Sequence, residues 1–162
     1  EFVTEDVMKK APGWIEGAQR MNALYEAPTE ADAEWADAIV LGTPTRFGSM
    51  TAELKAYIDS LGGLWFRGAL AGKAGSAFAS TSTMHGGNEM TITALYAPMA
   101  HLGLILVPTG YADPALFKAG TPYGASAVSG TSGALPNADD LEVARFQGRR
   151  VARVAAALKT LR

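Results

Sequence analysis

Ala38-Ile39-Val40-Leu41-Gly42-Thr43, running on into Pro44-Thr45-Arg46-Phe47-Gly48-Ser49-Met50, decides the fold of this chain. The first six residues form a short apolar run with β-branched side chains at Ile39, Val40 and Thr43. A strand in a parallel sheet reads this way, because helix layers cover both of its faces and no alternation with polar residues is needed. Pro44 to Met50 is rich in turn formers. Beyond it, Leu54, Ile58 and Leu61 recur at spacings of four and three, which predicts a helix over Ala52 to Leu61. Strand, loop and helix make the first half of a βαβ unit.

Upstream, Thr29 with Asp32 three residues on resembles an N-cap pair for a short helix to about Ala36. Residues 4–24 read as helical turns broken at Pro12-Gly13. Downstream, Leu64-Trp65-Phe66 falls in a loop past Gly62-Gly63, and Lys73 to Ser80 reads as a second buried strand around Phe78. After the glycine pair Gly86-Gly87, Asn88 is placed to cap a helix from Glu89 to Leu102, which Gly103 stops. Leu104 to Pro108 is the third strand, and residues 109–137 form a long Gly-, Ser-, Thr-, Tyr- and Pro-rich loop. The last helix runs from about Asp139 to Leu161, with Leu141, Ala144, Ala152, Ala155 and Leu158 expected on its buried face. This alternation predicts an α/β fold with a parallel sheet and helices on both faces. Three strands are few for so much helix, and the expectation is that further strands precede Glu1.

The 162 residues suit one domain; 48% are hydrophobic and 19% charged, the composition of a packed domain and not of a disordered chain. A formal net charge of -2 gives no general attraction to nucleic acid. There is no cysteine, which excludes disulfides and thiolate chemistry and fits a reducing cytoplasm. No apolar run approaches the roughly 18 residues of a membrane span.

In open parallel sheets, ligands bind outside the C-terminal ends of the strands. Three loops follow predicted strands: Thr43 to Gly48, Ser80 to Glu89 (with Ser80, Thr81, Ser82, Thr83, Met84, His85 and Gly86), and Thr109-Gly110-Tyr111. They are expected to converge on one rim, where main-chain donors and hydroxyls would cradle a planar polar ligand. Other roles stay open at this level. Histidines such as His85 and His101 are more often surface or capping residues than catalysts, and a tryptophan such as Trp65 is more often a core anchor. Two histidines make no metal signature, and Ser80 and Ser82 lack a nucleophile elbow. The residues alone reach a ligand-binding α/β domain.

Gly42-Thr43-Pro44-Thr45-Arg46-Phe47-Gly48-Ser49-Met50 resembles the flavin loop of NAD(P)H:quinone oxidoreductases of the tryptophan-repressor-binding-protein (WrbA) type. The resemblance continues through Gly62-Gly63-Leu64-Trp65, Gly68-Ala69-Leu70, Ser80-Thr81, His85-Gly86-Gly87-Asn88-Glu89, Ala100-His101, Thr121-Pro122-Tyr123-Gly124-Ala125 and Ala144-Arg145 with Gln147-Gly148. It covers residues 38–162 in the family's order, with 1–37 a variable link in a single domain. It implies a flavodoxin-like, doubly wound parallel sheet, bound FMN, NADH or NADPH as co-substrate, and a homotetramer. The implied reaction is two-electron reduction of quinones, by ping-pong hydride transfer through flavin N5. It implies that Thr45, Arg46 and Phe47 meet the isoalloxazine ring, that Ser80 to Gly86 continue around it, that Trp65 contacts quinone or nicotinamide, and that His101 comes from a neighbouring subunit. Arg46 and His101 would stabilise negative charge on reduced flavin or quinone oxygens. The non-enzymatic alternative is a flavodoxin-like electron carrier or a regulatory binding protein. The family opens with a strand and a Ser/Thr-rich turn that grips the FMN phosphate at a helix N-terminus. No such segment occurs in residues 1–162. It is therefore expected to precede Glu1, disordered in preference to truncated, and the outer edge of the 38–43 strand to be exposed without it.

Overall fold

The structure, a computed structural model, describes residues 3–10 and 12–161. Its elements run α1 (Glu5–Met8), α2 (Trp14–Leu24), α3 (Glu30–Trp35), β1 (Ala38–Pro44), α4 (Ala52–Ser60), α5 (Gly62–Phe66), β2 (Ala74–Thr81), α6 (Asn88–His101), β3 (Ile105–Leu106), a 3-10 turn (Pro114–Phe117), β4 (Ser126–Val128), α7 (Ala138–Leu158) and a closing 3-10 turn (Lys159–Leu161).

β1 pairs in parallel with β2 over its whole length, from Ala38 opposite Ala74 to Pro44 opposite Ser80. That fills one edge of β2. The other edge is shared by two short strands on one line, β3 opposite Ala74 and Gly75 and β4 opposite Ala79 to Thr81. The sheet therefore has four strands where the sequence predicted three. The expected loop 109–137 conceals β4, and the excursion from Thr109 to Thr121 interrupts what is otherwise a single strand. Its neck is tied by Gly110 N–H donating to Pro122 O (2.8 Å) and Thr109 Oγ1 donating to Thr121 O (2.6 Å). Among the described residues, no strand pairs with the outer edge of β1. Val40 and Phe78 are 43% and 47% exposed on the sheet beside it.

Helices cover both faces, as the continuous apolar strands predicted. On one face, Leu41, Ala77 and Ala79 meet Ile58, Leu64, Ile92, Leu95 and Met99 from α4 to α6. On the other, Ala74 and Val107 meet Val151 and Ala155 of α7. Thr29 and Asp32 form the expected reciprocal capping box on α3, and Asn137 with Asp140 forms a second on α7. The buried side chain of Lys73 donates to the carbonyls of Ala33 and Glu34 at the end of α3, where helix carbonyls lack partners.

Three local readings differ. Trp65 lies on the short helix α5 and not in a loop. Gly87, at φ +91°, is the N-cap of α6, and Asn88 is its first helical residue. The buried stripe of α7 is Val143, Gln147, Val151 and Ala155, while Leu141, Ala144 and Ala152 face outward. A polar Gln147 at the centre of that stripe is what apolar periodicity does not register.

Gln147 plugs the interval between β3 and β4. Its Nε2 donates to Ser76 Oγ (2.7 Å) and Ala77 O (2.8 Å), and its Oε1 accepts from Ala125 N–H (2.9 Å). Beside it, the Tyr96 hydroxyl donates to Tyr123 O and ties α6 to the segment between the excursion and β4. Burial raises the Tyr96 phenol above its ordinary value of 10.0, with the Ser76 hydroxyl acting in the opposite direction. Burial likewise raises Tyr57, aided by the carboxylates of Asp32 and Glu30. A folded-state phenol pKa above the unfolded one contributes stability that is complete below pH ~10 and is lost as pH rises through the folded value. Alkaline absorbance titration is expected to show late-ionising tyrosine, with one late component removed by Tyr96→Phe. An unchanged titration curve in that variant contradicts the assignment.

Candidate functional site

The C-terminal ends of β1, β2 and β4 lie at one edge of the sheet, and their loops interlock there. Thr45 N–H donates to Ser80 O (2.8 Å), which carries the β1–β2 ladder into the loops. The Thr45 hydroxyl then accepts from Gly48 N–H (3.2 Å) and from the buried Thr91 hydroxyl of α6 (2.9 Å). Thr43 Oγ1 accepts from Thr51 N–H (3.1 Å), and Thr51 caps α4. Thr43 thus pins this loop to the start of α4, and Thr45 pins it to α6.

Between these pins, Arg46 and Ser49 exchange both backbone hydrogen bonds (2.8 and 3.0 Å), a two-residue hairpin. Phe47 (φ 53°) and Gly48 (φ 79°) supply its two positive-φ positions. Gly48 accepts this freely, whereas Phe47 is the non-glycine residue held there, fully exposed at the tip. An exposed aromatic in strained backbone is a combination found at ligand contacts. Arg46 anchors one end of its guanidinium on Thr45 O (2.8 Å) and is otherwise exposed.

The second loop runs from Ser80 through Gly86. Thr81 Oγ1 donates to Thr83 O (2.8 Å), and Gly86 N–H donates to the same carbonyl (2.9 Å). A Cβ on Gly86 would lie 2.7 Å from Thr81 Cβ, so only glycine closes this turn. A Cβ on Gly87 would lie 3.4 Å from Gly48 Cα, so the two loops abut. The backbone N–H groups of Thr83, Met84 and His85 have no acceptor among the described residues, and Ser82 to His85 are exposed. The buried Asn88 Oδ1 is also without a donor. Exposed donors on Gly-closed turns beside an exposed aromatic fit the polar edge and face of a flavin ring.

The sequence missed several features of this rim. Thr109-Gly110-Tyr111 does not reach it. β3 ends opposite Gly75, about 20 Å short of Thr81 at ~3.3 Å per residue. Ser129, after β4, takes the place instead and donates its N–H to Thr81 O (2.9 Å). Val3, Met8, Trp14 and Met50 join Arg46 around a groove of about 810 Å³. Met8 and Trp14 belong to the stretch expected to be a mere link, and no periodicity pointed to them.

Trp65 and His101 lie elsewhere. His101 ends α6, 13 residues and so about 20 Å from Asn88 at its start. The adjoining Gly103 O accepts from Gly72 N–H (2.9 Å), at the opening of β2. Trp65, 56% exposed, shares a shallow cleft of about 270 Å³ with His101. Within one chain both stand at the opposite edge of the sheet from the loops. Among the described residues no three His, Asp or Glu side chains gather to hold a metal ion, and no helix is long and apolar enough to cross a membrane.

A doubly wound parallel sheet with its ligand-facing loops gathered at the C-terminal strand edge defines a flavodoxin-like α/β protein. Residues 15–115 match the family model described as NADPH-dependent FMN reductase. The chain is 42% identical over 164 residues to a protein of Aromatoleum aromaticum named NAD(P)H dehydrogenase (quinone), covering 98% of this chain and 78% of the relative. It is also 42% identical over 168 residues to a protein of the same name from Trichlorobacter lovleyi, covering 98% and 79%. The crystal structure of a flavodoxin, WrbA-like protein from Agrobacterium tumefaciens superposes with a TM-score of 0.64 at 28% identity, over 78% of this chain and 71% of that one. The chain belongs to the NADPH-dependent FMN reductase family, among its flavodoxin-like NAD(P)H dehydrogenases (quinone).

Proposed function

We propose that the chain is an FMN-dependent NAD(P)H:quinone oxidoreductase. The observation that carries this is the 42% identity, along 98% of the chain, to relatives named for that activity. When bound, FMN takes two electrons from NADH or NADPH and passes them to a quinone. In this reading Thr45, Arg46, Phe47 and the 80–86 loop seat the ring. The free N–H groups of Thr83, Met84 and His85 support it, as hydrogen-bond donors to ring oxygens. The Arg46 guanidinium, held at one end by Thr45 O, places positive charge where the ring or the quinone gains negative charge. Phe47 offers a flat apolar surface. The cytoplasm is proposed as the compartment, in keeping with the absence of cysteine.

Stopped-flow mixing of the FMN-loaded protein with NADH or NADPH is expected to bleach the oxidised flavin. Benzoquinone should then restore it, and steady-state rates should follow ping-pong kinetics. Flavin that neither nucleotide bleaches overturns the reading.

The proposal extends to a homotetramer in which Trp65 and His101 of one subunit complete the flavin site of another. Its support is their separation from the loops by a helix length, together with exposed aromatics at Trp35 (86%), Trp65 (56%) and Phe66 (86%). His101→Ala is expected to lower quinone turnover at least tenfold while leaving the thermal unfolding midpoint unchanged. Turnover equal to the parent from about pH 5 to 8 makes His101 a helix-terminal residue only. Light scattering of the FMN-loaded protein is expected to give four chain masses, and a monomer mass contradicts the shared site.

A further inference from the structure

On the far face of the sheet, one flank of α7 carries a feature that quinone reduction does not use. Phe146, Arg149, Arg150, Arg153, Val154 and Ala157 recur at spacings of three and four, so they form a strip beside the buried Val143–Ala155 stripe. With Asp113 from the excursion they line a groove of about 570 Å³. Three guanidinium groups thus face one carboxylate, in a chain whose overall charge is negative. The Asp113 carboxylate is engaged with Ala115 N–H (3.0 Å), capping the short turn that follows it.

The arginines are not equivalent. Arg150, which lines the groove, is half-buried; its Nε donates to Pro108 O (3.0 Å), and its outer nitrogens form no ion pair among the described residues. Arg149 is tied to Glu142 (3.0 Å), which it shares with Arg145 outside the groove (3.7 Å). Arg153 has no ion pair and no hydrogen bond among the described residues. A solvated helix face would offer it a carboxylate one turn away, but positions 149 and 157 hold Arg and Ala. A guanidinium fork held by Pro108 O, beside a second one left without a carboxylate and the apolar side chains of Phe146 and Val154, suits phosphate oxygens. We infer that this groove binds a phosphate-bearing small molecule, with Arg153 and Arg150 as its principal contacts. Arg149 lies 12 residues from Asn137, which is about 18 Å along the helix from the loop edge of the sheet, so the site is separate from the redox rim.

The test is calorimetric titration of the FMN-loaded protein with inorganic pyrophosphate at physiological salt. Expected are saturable one-to-one binding, at least tenfold weaker affinity in Arg153→Gln, and unchanged affinity in Arg145→Gln, which removes the same charge outside the groove. Quinone turnover should be the same in all three proteins. Absence of saturable binding, or an equal loss in the two variants, overturns the inference. A repeat with NAD+ present separates the two sources of a diphosphate. Displacement of pyrophosphate assigns the groove to the nicotinamide nucleotide, and indifference assigns it to another phosphorylated ligand.

Discussion

Gln147→Leu is expected to lower the free energy of unfolding by about 2–6 kcal/mol. The leucine fills a similar volume, so the effect is electrostatic and not a cavity. It leaves Ala77 O facing the interval between β3 and β4, where no strand reaches it, and leaves Ala125 N–H without its acceptor. Ala77 and Ala125 are 0% and 5% exposed, so water does not readily replace the lost partner. Each orphaned buried group costs about 1–3 kcal/mol, a large share of the roughly 5–15 kcal/mol that holds a domain together. The loss should also loosen the Thr109–Thr121 excursion. Gly124 lies so close to β2 that a Cβ there would come within 2.1 Å of Ala77 O, and the Gln147 amide holds that approach together. Guanidinium chloride unfolding of parent and variant measures the difference. A change under ~1 kcal/mol means that the glutamine is not what satisfies these groups.

Gly86→Ala is expected to weaken FMN binding by about 10–100-fold, or roughly 1.4–2.7 kcal/mol. A methyl group at this position would stand 2.7 Å from Thr81 Cβ and 3.0 Å from Thr83 O. Neither neighbour is the free end of a flexible side chain, so the turn from Thr81 to Gly86 must open. Opening it breaks the Gly86 N–H bond to Thr83 O and turns the Thr83–His85 amides away from a common acceptor. The turn lies past Ala79, the last core residue of β2, and the thermal midpoint of the flavin-free protein should move little. Flavin fluorescence titration reads the affinity. An unchanged dissociation constant means that the ring does not rest on the 80–86 loop.

Much of the fold was legible because it rests on local chemistry. A continuous apolar run at Ala38–Thr43 has one cheap structural solution, a strand between two helix layers. The Thr29–Asp32 pair satisfies its own backbone donors whatever surrounds it. The turn between Pro44 and Met50 was likewise legible from its turn formers, although the positive φ of Phe47 was not. β4 was not legible. Three residues, Ser126-Ala127-Val128, carry no period, and they are a strand only because β2 presents open backbone groups at Ala79 to Thr81. The buried face of α7 escaped for a related reason. Gln147 faces inward because unpaired groups on β2 and at Ala125 await it, and that demand comes from residues about 70 and 22 positions away.

By itself the sequence determined the α/β class, the order of the principal strands and helices, the two loops after β1 and β2, and the family to which they belong. The tertiary structure decided which residues share the site. It brought Thr45 and Thr91 together across 46 positions and placed Ser129 beside Thr81. It withdrew Thr109 from the rim and put Trp65 and His101 at the opposite edge of the sheet. Local chemistry sets what each segment is, because backbone hydrogen bonding and side-chain period act over a few residues. Where each segment ends depends on register, on an interrupted strand and on the length of a helix, and those are properties of the packed sheet alone.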